Sequence, residues 1–382
     1  MTPKSVLQIF EPLEGGVPEH VLRLATGLPA HGWEVEVAAP AGTPFLAPLQ
    51  DGGVRVHPLP MARAFGASDV RAALALRRLD RKRPYTVVHA HSSKAGAFAR
   101  AALPDRRRLV YTPHCFSFLG GFRGLKRHAY RAIEQALVPR TAVLIAASTW
   151  ERDQALRHLR GAASRTRVIK YGVPKCEGQA ASEELLAFKG EHPLAGMISR
   201  LEPQKDPLAL VRAAALLRAR GVDDLRVAIV GNGGLWDPLR VQIDNLGLSD
   251  QVGLFPFRVG VQSYLRAFDL FVLPSLWESL PISVLEAMAC RVPVLASDVC
   301  GTPEAVADGV NGRLVPPGEA EALATALEEL VSDRRRLAEL ADAGFKAAET
   351  DFTLDRMVRQ TAALYDELLE PPTDDRRSPK TA

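Results

Sequence analysis

The feature that most constrains this chain is an alternation of short apolar runs with longer amphipathic stretches, sustained almost from end to end. A short apolar run suits a buried strand, and an amphipathic stretch of about ten residues or more suits a helix lying on a sheet. In the first half the runs predict strands over 6–10, 34–38, 86–90, 108–111 and 143–147. Helices are expected over 19–28, 70–81, 96–102, 127–137 and 149–157. The second half repeats the pattern, with strands over 194–199, 226–230, 251–254, 270–273, 292–296 and 313–315. Its helices are expected over 207–220, 236–246, 261–267, 282–290 and 320–330. Alternating β and α segments require a parallel sheet covered on both faces. The segment 170–181 breaks the periodicity at Gly172, Pro174 and Gly178 and reads as a linker. The expected fold is α/β, with two Rossmann-like doubly wound domains, 1–172 and 173–350, facing a central cleft. A helix within 351–370 is expected to pack back on the first domain, and the polar tail 371–382 to be disordered.

Composition narrows the class. With 382 residues and 47% apolar content, each half is long enough to bury its own core. No apolar run approaches the roughly 18 residues of a membrane-spanning helix. Met1 leads directly into strand-like sequence, so no secretory signal is expected. Cys115, Cys176, Cys290 and Cys300 are scattered without metal-ligand spacing. They predict a reduced, cytoplasmic protein without a zinc site. The net charge of +4 hides a division. Residues 1–175 carry 27 Lys and Arg against 12 Asp and Glu, whereas the rest carry 21 against 32. The first half is therefore expected to face something anionic. Its basic runs, such as Arg81-Lys82-Arg83 and Arg106-Arg107-Arg108, match no nucleic-acid-binding motif, so a nucleic-acid partner is not expected.

Doubly wound domains carry ligands at the C-terminal edges of their strands. There the chain places Pro274-Ser275-Leu276-Trp277-Glu278-Ser279-Leu280-Pro281, followed by a helix carrying Glu286. Carboxylates accept hydrogen bonds from vicinal hydroxyls, which a sugar or a ribose offers in pairs. A helix start also suits a phosphate. Two glutamates eight residues apart are, on spacing alone, ordinary surface.

The flanking sequence changes that reading. The segment resembles the E-x7-E signature of the family 4 retaining glycosyltransferases, which have the GT-B fold. Glu14-Gly15-Gly16-Val17 with Glu19-His20 resembles the family's first glycine-rich loop, and Ile198-Ser199-Arg200-Leu201 with Lys205-Asp206 its G-R-L…K segment. Ile229-Val230-Gly231-Asn232-Gly233, Gly301-Thr302-Pro303-Glu304 and Asp308-Gly309-Val310-Asn311-Gly312 also fit, in the family's order. His91-Ser92-Ser93-Lys94-Ala95-Gly96 and Thr112-Pro113-His114 resemble exopolysaccharide and capsule-type members.

The resemblance implies roles. Arg200 and Lys205 bind the donor diphosphate and stabilise its developing charge. Glu286 holds the ribose hydroxyls, and Glu278, with Ser279, Leu280 and Pro281, the donor sugar. Gly15 and Gly16 allow close backbone approach to the donor. His114 lies at the reacting face of the sugar. Lys94 is a candidate contact for an acceptor phosphate, or caps a surface loop. The implied donor is a nucleotide diphosphate-sugar, as a family-level expectation a UDP-sugar. Transfer is expected to proceed with retention and without cofactor or metal. The acceptor is expected to be a lipid-linked saccharide or a polysaccharide intermediate. The stretch from Phe122 to Arg131 mixes basic and aromatic residues and suits peripheral contact with an anionic membrane. A soluble-metabolite acceptor, or a catalytically silent nucleotide-sugar-binding subunit, is the alternative. The chain departs from the family at Tyr171-Gly172, where Asn-Gly is common, and at Arg258, where glycine is common.

Overall fold

The computed structural model describes residues 4–61, 67–103, 108–121, 124–257 and 260–370. Arg106, Arg107, Phe122, Arg123, Arg258 and the tail 371–382, on which expectations fell, lie outside the described residues.

Seven strands form the first sheet: β1 (Ser5–Phe10), β2 (Glu34–Pro40), β3 (Arg55–Leu59), β4 (Val87–His91), β5 (Leu109–Thr112), β6 (Val143–Ala146) and β7 (Thr166–Val168). Their order is β3-β2-β1-β4-β5-β6-β7, every pair parallel. Six more form the second sheet: β8 (Leu194–Ile198), β9 (Arg226–Val230), β10 (Val252–Phe255), β11 (Leu270–Leu273), β12 (Val294–Ser297) and β13 (Arg313–Val315). They run β10-β9-β8-β11-β12-β13, again parallel. The α/β class and the paired doubly wound sheets agree with the sequence. Strands β1, β4, β5, β6, β8 and β11 are buried along their whole length. Parallel sheets covered on both faces need such continuous burial.

Chain order reverses between β1 and β4, and again between β8 and β11. A crevice opens at such switch points. The loops after β1 and β4 therefore meet the loops after β8 and β11, and the cleft lies between them.

Two strands escaped the sequence pattern, β3 and the three-residue β7. β3 is buried only at Leu59, contains Pro58 and sits at the sheet edge. Proline is tolerated there because an edge strand leaves backbone donors unpaired. The helices Leu46–Asp51, Glu183–Lys189 and Arg334–Asp351 were also unanticipated. The final helix, Leu354–Glu367, buries Met357, Val358, Ala362 and Tyr365 against Val6, Leu24, Leu28 and Trp33. The chain crosses back where Val173 N–H donates to Phe352 O at 2.8 Å and Leu354 N–H donates to Val173 O at 3.2 Å. Gly172 permits this crossing, since a Cβ there would lie 2.3 Å from Thr353 O.

The cysteine expectation is corrected. Cys176 and Cys290 are joined in a disulfide, and Cys115 and Cys300 are free. The two partners lie 114 residues apart in sequence, which hides them from spacing arguments. The segment after β7 passes the C-terminal end of the helix Ile282–Ala289 and brings their Cα atoms to 4.9 Å.

Candidate active site

The cleft holds a cavity of about 290 Å³ lined from both domains, with Gly15, Gly16, His114 and Tyr171 on one side and Arg200, Lys205, Glu278 and Glu286 on the other. Ser279, Leu280 and Ser283 complete the second wall. Pro281 precedes the helix Ile282–Ala289 as its N-cap, so this helix begins at the cavity.

Gly15 caps the helix Gly16–Gly27 with φ +98°, a conformation that suits glycine. A Cβ at Gly15 would lie 3.0 Å from Arg200 Cδ, and one at Gly16 3.1 Å from Ile282 Cδ1. The glycines thus admit side chains of the opposite domain. On that side, the short 3-10 turn Pro203–Lys205 ends at Asp206, which adopts φ +42° and caps the next helix by accepting from Ala209 N–H at 3.3 Å. This sharp turn directs Lys205 into the cleft.

Both glutamates of the signature are buried and each is paired with a cation. Glu278 accepts from Lys205 and, at 2.8 Å, from Ser275 Oγ. Glu286 accepts from Arg23, which reaches over from the first domain and also pairs with Glu19 at 3.1 Å. Burial pushes the Glu286 carboxyl up, and the Arg23 guanidinium opposes that shift. Nε and Nη1 of Arg23 are buried without a partner.

His114 has a left-handed backbone, φ +52°, as does Cys115, φ +78°. Strain of this kind persists where surroundings enforce it. Here the enforcing group is Glu151, which accepts from Cys115 N–H at 2.6 Å and from Ala147 N–H at 2.8 Å. Burial drives the His114 imidazole down to about 3, so it is neutral. Its Nε2 lies 3.0 Å from His91 Nδ1 and its Nδ1 2.6 Å from Tyr171 Oη. His20, His91 and His114 form the group of described residues with a metal-ligating donor set, their nitrogens within 4.8 Å of one another. Two of those nitrogens already share a hydrogen bond.

Lys94 does not join the site. It is buried, its Nζ lies 3.0 Å from Asp69 Oδ1, and it is absent from the cavity wall. Sequence reasoning missed Arg23, Glu151 and the role of Tyr171. Tyr171 alone left a signal, as the departure from Asn-Gly. A further contact links the domains at Glu304, whose carboxylate accepts from the backbone N–H of Thr149 at 2.9 Å and of Trp150 at 2.7 Å. It thereby caps the first turn of the helix Thr149–His158.

Two parallel-sheet domains, with cations, carboxylates and a glycine loop meeting in the cleft, define a group-transfer enzyme of the two-domain type. The family model for a glycosyl transferase 4-like domain matches residues 15–172, and that for glycosyl transferases group 1 matches residues 179–347. A D-inositol 3-phosphate glycosyltransferase of Rhodococcus jostii is 33% identical, over 88% of this chain and 81% of that protein. The Escherichia coli UDP-Gal:alpha-D-GlcNAc-diphosphoundecaprenol alpha-1,3-galactosyltransferase is 28% identical, over 85% of this chain and 86% of that one. The crystal structure of Anabaena HepE with UDP and glucose superposes with a TM-score of 0.81, over 95% of this chain and all of that one, at 24% identity. The chain belongs to the family 4 glycosyltransferases and has the GT-B fold.

Proposed function

We propose that this glycosyltransferase moves a sugar from a UDP-sugar to a lipid-linked saccharide or polysaccharide intermediate of the cell surface, with retention and without a metal. The observation that carries the reading is the placement of Arg200 and Lys205 beside two buried carboxylates, across from the Gly15 loop. In the proposed reaction the bond from the anomeric carbon to the diphosphate oxygen breaks. A bond to the acceptor oxygen forms on the same face, and the acceptor's proton passes to the departing diphosphate. Arg200 and Lys205 meet the charge that develops on the leaving group, worth about 3 kcal/mol of barrier for each well-placed donor. Glu278 and Glu286 serve the sugar and the ribose as hydroxyl acceptors. Both therefore have binding roles, and a double-displacement route, which needs a carboxylate nucleophile at the anomeric carbon, is not favoured. UDP complexes of the HepE neighbour support the choice of base.

The galactosyltransferase relative, named for an undecaprenol diphosphate acceptor, supports a lipid-linked acceptor. So does the helix Gly124–Leu137, where Leu125 is 85% and Ile133 47% exposed beside Lys126, Arg127 and Arg131. An amphipathic basic helix of this kind fits an anionic membrane surface, here its cytoplasmic face. Among the described residues no helix is long and apolar enough to cross a membrane. The inositol-phosphate relatives favour a second reading, a soluble phosphorylated acceptor.

A thermal-shift screen of UDP- and GDP-sugars tests the donor, because a ligand of the folded state raises the melting temperature. UDP-sugars should shift it most. An inverted anomer in the product's NMR spectrum would end the retaining reading. Flotation with anionic liposomes separates the acceptor readings: salt-sensitive binding supports the lipid-linked one, and its absence the soluble one.

A further inference from the structure

The resemblance places His114 at the reacting face of the sugar, yet both of its ring nitrogens are occupied by protein. The hydrogen bonds around it form one chain that runs from the final helix to the cleft. Gln8 Nε2 donates to Tyr365 Oη at 3.0 Å, so Gln8 Oε1 is the acceptor for His91 Nε2–H at 2.6 Å. Burial and the neighbouring imidazoles keep His91 neutral, which leaves its Nδ1 a lone pair. That lone pair accepts His114 Nε2–H at 3.0 Å. His114, also neutral, then has only a lone pair at Nδ1, and the Tyr171 hydroxyl donates to it at 2.6 Å. The far branch closes in the same sense. Tyr365 donates to His89 Nδ1 at 2.6 Å, and His89 Nε2–H donates to Thr112 Oγ1 at 2.8 Å.

The end of this chain is the Tyr171 oxygen. Its proton is committed to His114, and its lone pairs remain. Tyr171 is 4% exposed, lines the cavity and stacks on His114 with ring centroids 5.5 Å apart and planes 19° apart. Reversing the Gln8 amide reverses the bonds along the chain and turns the Tyr171 oxygen from acceptor to donor. It still leaves Tyr171, and not His114, as the group at the cleft. The placement also gives a reason for this chain's departure at Tyr171: an asparagine has too short a side chain to occupy the same position.

We infer that the Tyr171 hydroxyl is the hydrogen-bonding group this enzyme presents to a sugar hydroxyl in the cleft, with His114, His91 and Gln8 as the positioning residues that fix its direction. This rests on the proposed transfer from a nucleotide sugar. The hydroxyl belongs either to the donor sugar or to the acceptor. Tyr171→Phe keeps the ring and its stacking and removes only the oxygen.

The experiment uses the full chain with UDP-glucose and UDP-galactose, and with the monodeoxy analogues of whichever one is turned over. Tyr171→Phe should lower kcat/KM about tenfold, the loss of one buried hydrogen bond. If the partner is on the donor, one deoxy analogue should react equally with the wild type and with Tyr171→Phe, and calorimetric donor binding without acceptor should weaken. If it is on the acceptor, donor binding should be unchanged and the acceptor KM should rise. A loss in kcat that persists unchanged with every deoxy analogue, with donor binding and acceptor KM both unchanged, would mean a merely structural role and overturn the inference, as would no loss. Tyr171→Asn is the second variant and should lose the same coupling. Absence of any nucleotide-sugar binding by the wild type would instead refute the transfer reading beneath it.

Discussion

Four histidines, His20, His89, His91 and His114, are buried beside one another around β4 and the cleft, and burial holds every one of them below its ordinary range. For His20, His89 and His91 neighbouring imidazoles add to the depression, since two adjacent positive rings repel. In the unfolded chain each histidine titrates near 6.5. Below that pH the unfolded state binds a proton that the native state does not. Stability is therefore complete above about pH 7.5 and is lost as the pH falls through 6.5 toward the native values, for His114 toward about 3. A histidine that stays neutral in the native state costs about 1.2 kcal/mol between pH 7 and 5.5, and four together cost about 5 kcal/mol. Glu151 and Glu286, raised by burial, act with the opposite sign, so single variants are needed to isolate the histidine part. Urea unfolding followed by tryptophan fluorescence, to which the buried Trp33 of the first domain contributes, measures the relevant stability. The expected result is a fall of several kcal/mol from pH 7 to 5.5, reduced by about a quarter in His89→Gln. Stability that stays flat across that range, or a slope unchanged in His89→Gln and His91→Gln alike, would refute the reasoning.

Two further perturbations address the charges in the cleft. Lys205→Ala should lower kcat by roughly 100-fold or more while the domains stay folded, because in the proposed reaction it removes a cation at the leaving group; steady-state kinetics with the preferred donor checks this. Arg23→Ala should destabilise the closed protein by about 3 kcal/mol, since it leaves the Glu286 carboxylate buried without its cation. Arg23→Met with Glu286→Gln should recover most of that loss in thermal unfolding, although the variant should bind donor poorly.

The fold was legible in the sequence wherever a strand is buried on both faces. β4 shows how far that goes, and where it stops. Its run Val-Val-His-Ala-His reads as a strand by its flanking apolar residues, and His91 opens a segment that resembles the family. Nothing local reveals that the two histidines face Gln8 on β1 and Tyr365 on the final helix, partners brought together only by sheet order and by the crossing at Gly172. Glu278, Glu286, Arg200 and Lys205 stood out through the family resemblance of the segments that follow β8 and β11, and the structure places all four on the cavity wall. Their pairing could not be read in this way. Arg23 lies on the opposite domain, 263 residues from Glu286, in a helix whose i, i+4 partner Glu19 explains it locally. Lys94 was equally illegible, since nothing local to a lysine at a helix start beside a strand end reveals that it faces Asp69.

The pairing has a consequence for donor selection. Lys205 is bound to Glu278 before any ligand arrives, and both side chains are largely buried. If Lys205 binds the donor as proposed, a diphosphate draws it away and weakens its hold on Glu278. A bare nucleotide offers nothing in return, so it leaves a buried carboxylate short of partners, at a cost of about one to three kcal/mol (roughly 5- to 150-fold in affinity). A donor that carries its sugar supplies hydroxyls to that same carboxylate, and the exchange balances. The enzyme should therefore prefer the intact donor over free nucleotide diphosphate partly through the penalty on the latter. Glu278→Gln removes the penalty, because a neutral amide tolerates the departure of Lys205. Calorimetry on this variant should show tighter binding of UDP and weaker binding of the UDP-sugar, shrinking the ratio between them about tenfold. An unchanged ratio would mean that Glu278 and Lys205 act independently, and that the pair seen in the cleft plays no part in choosing the donor.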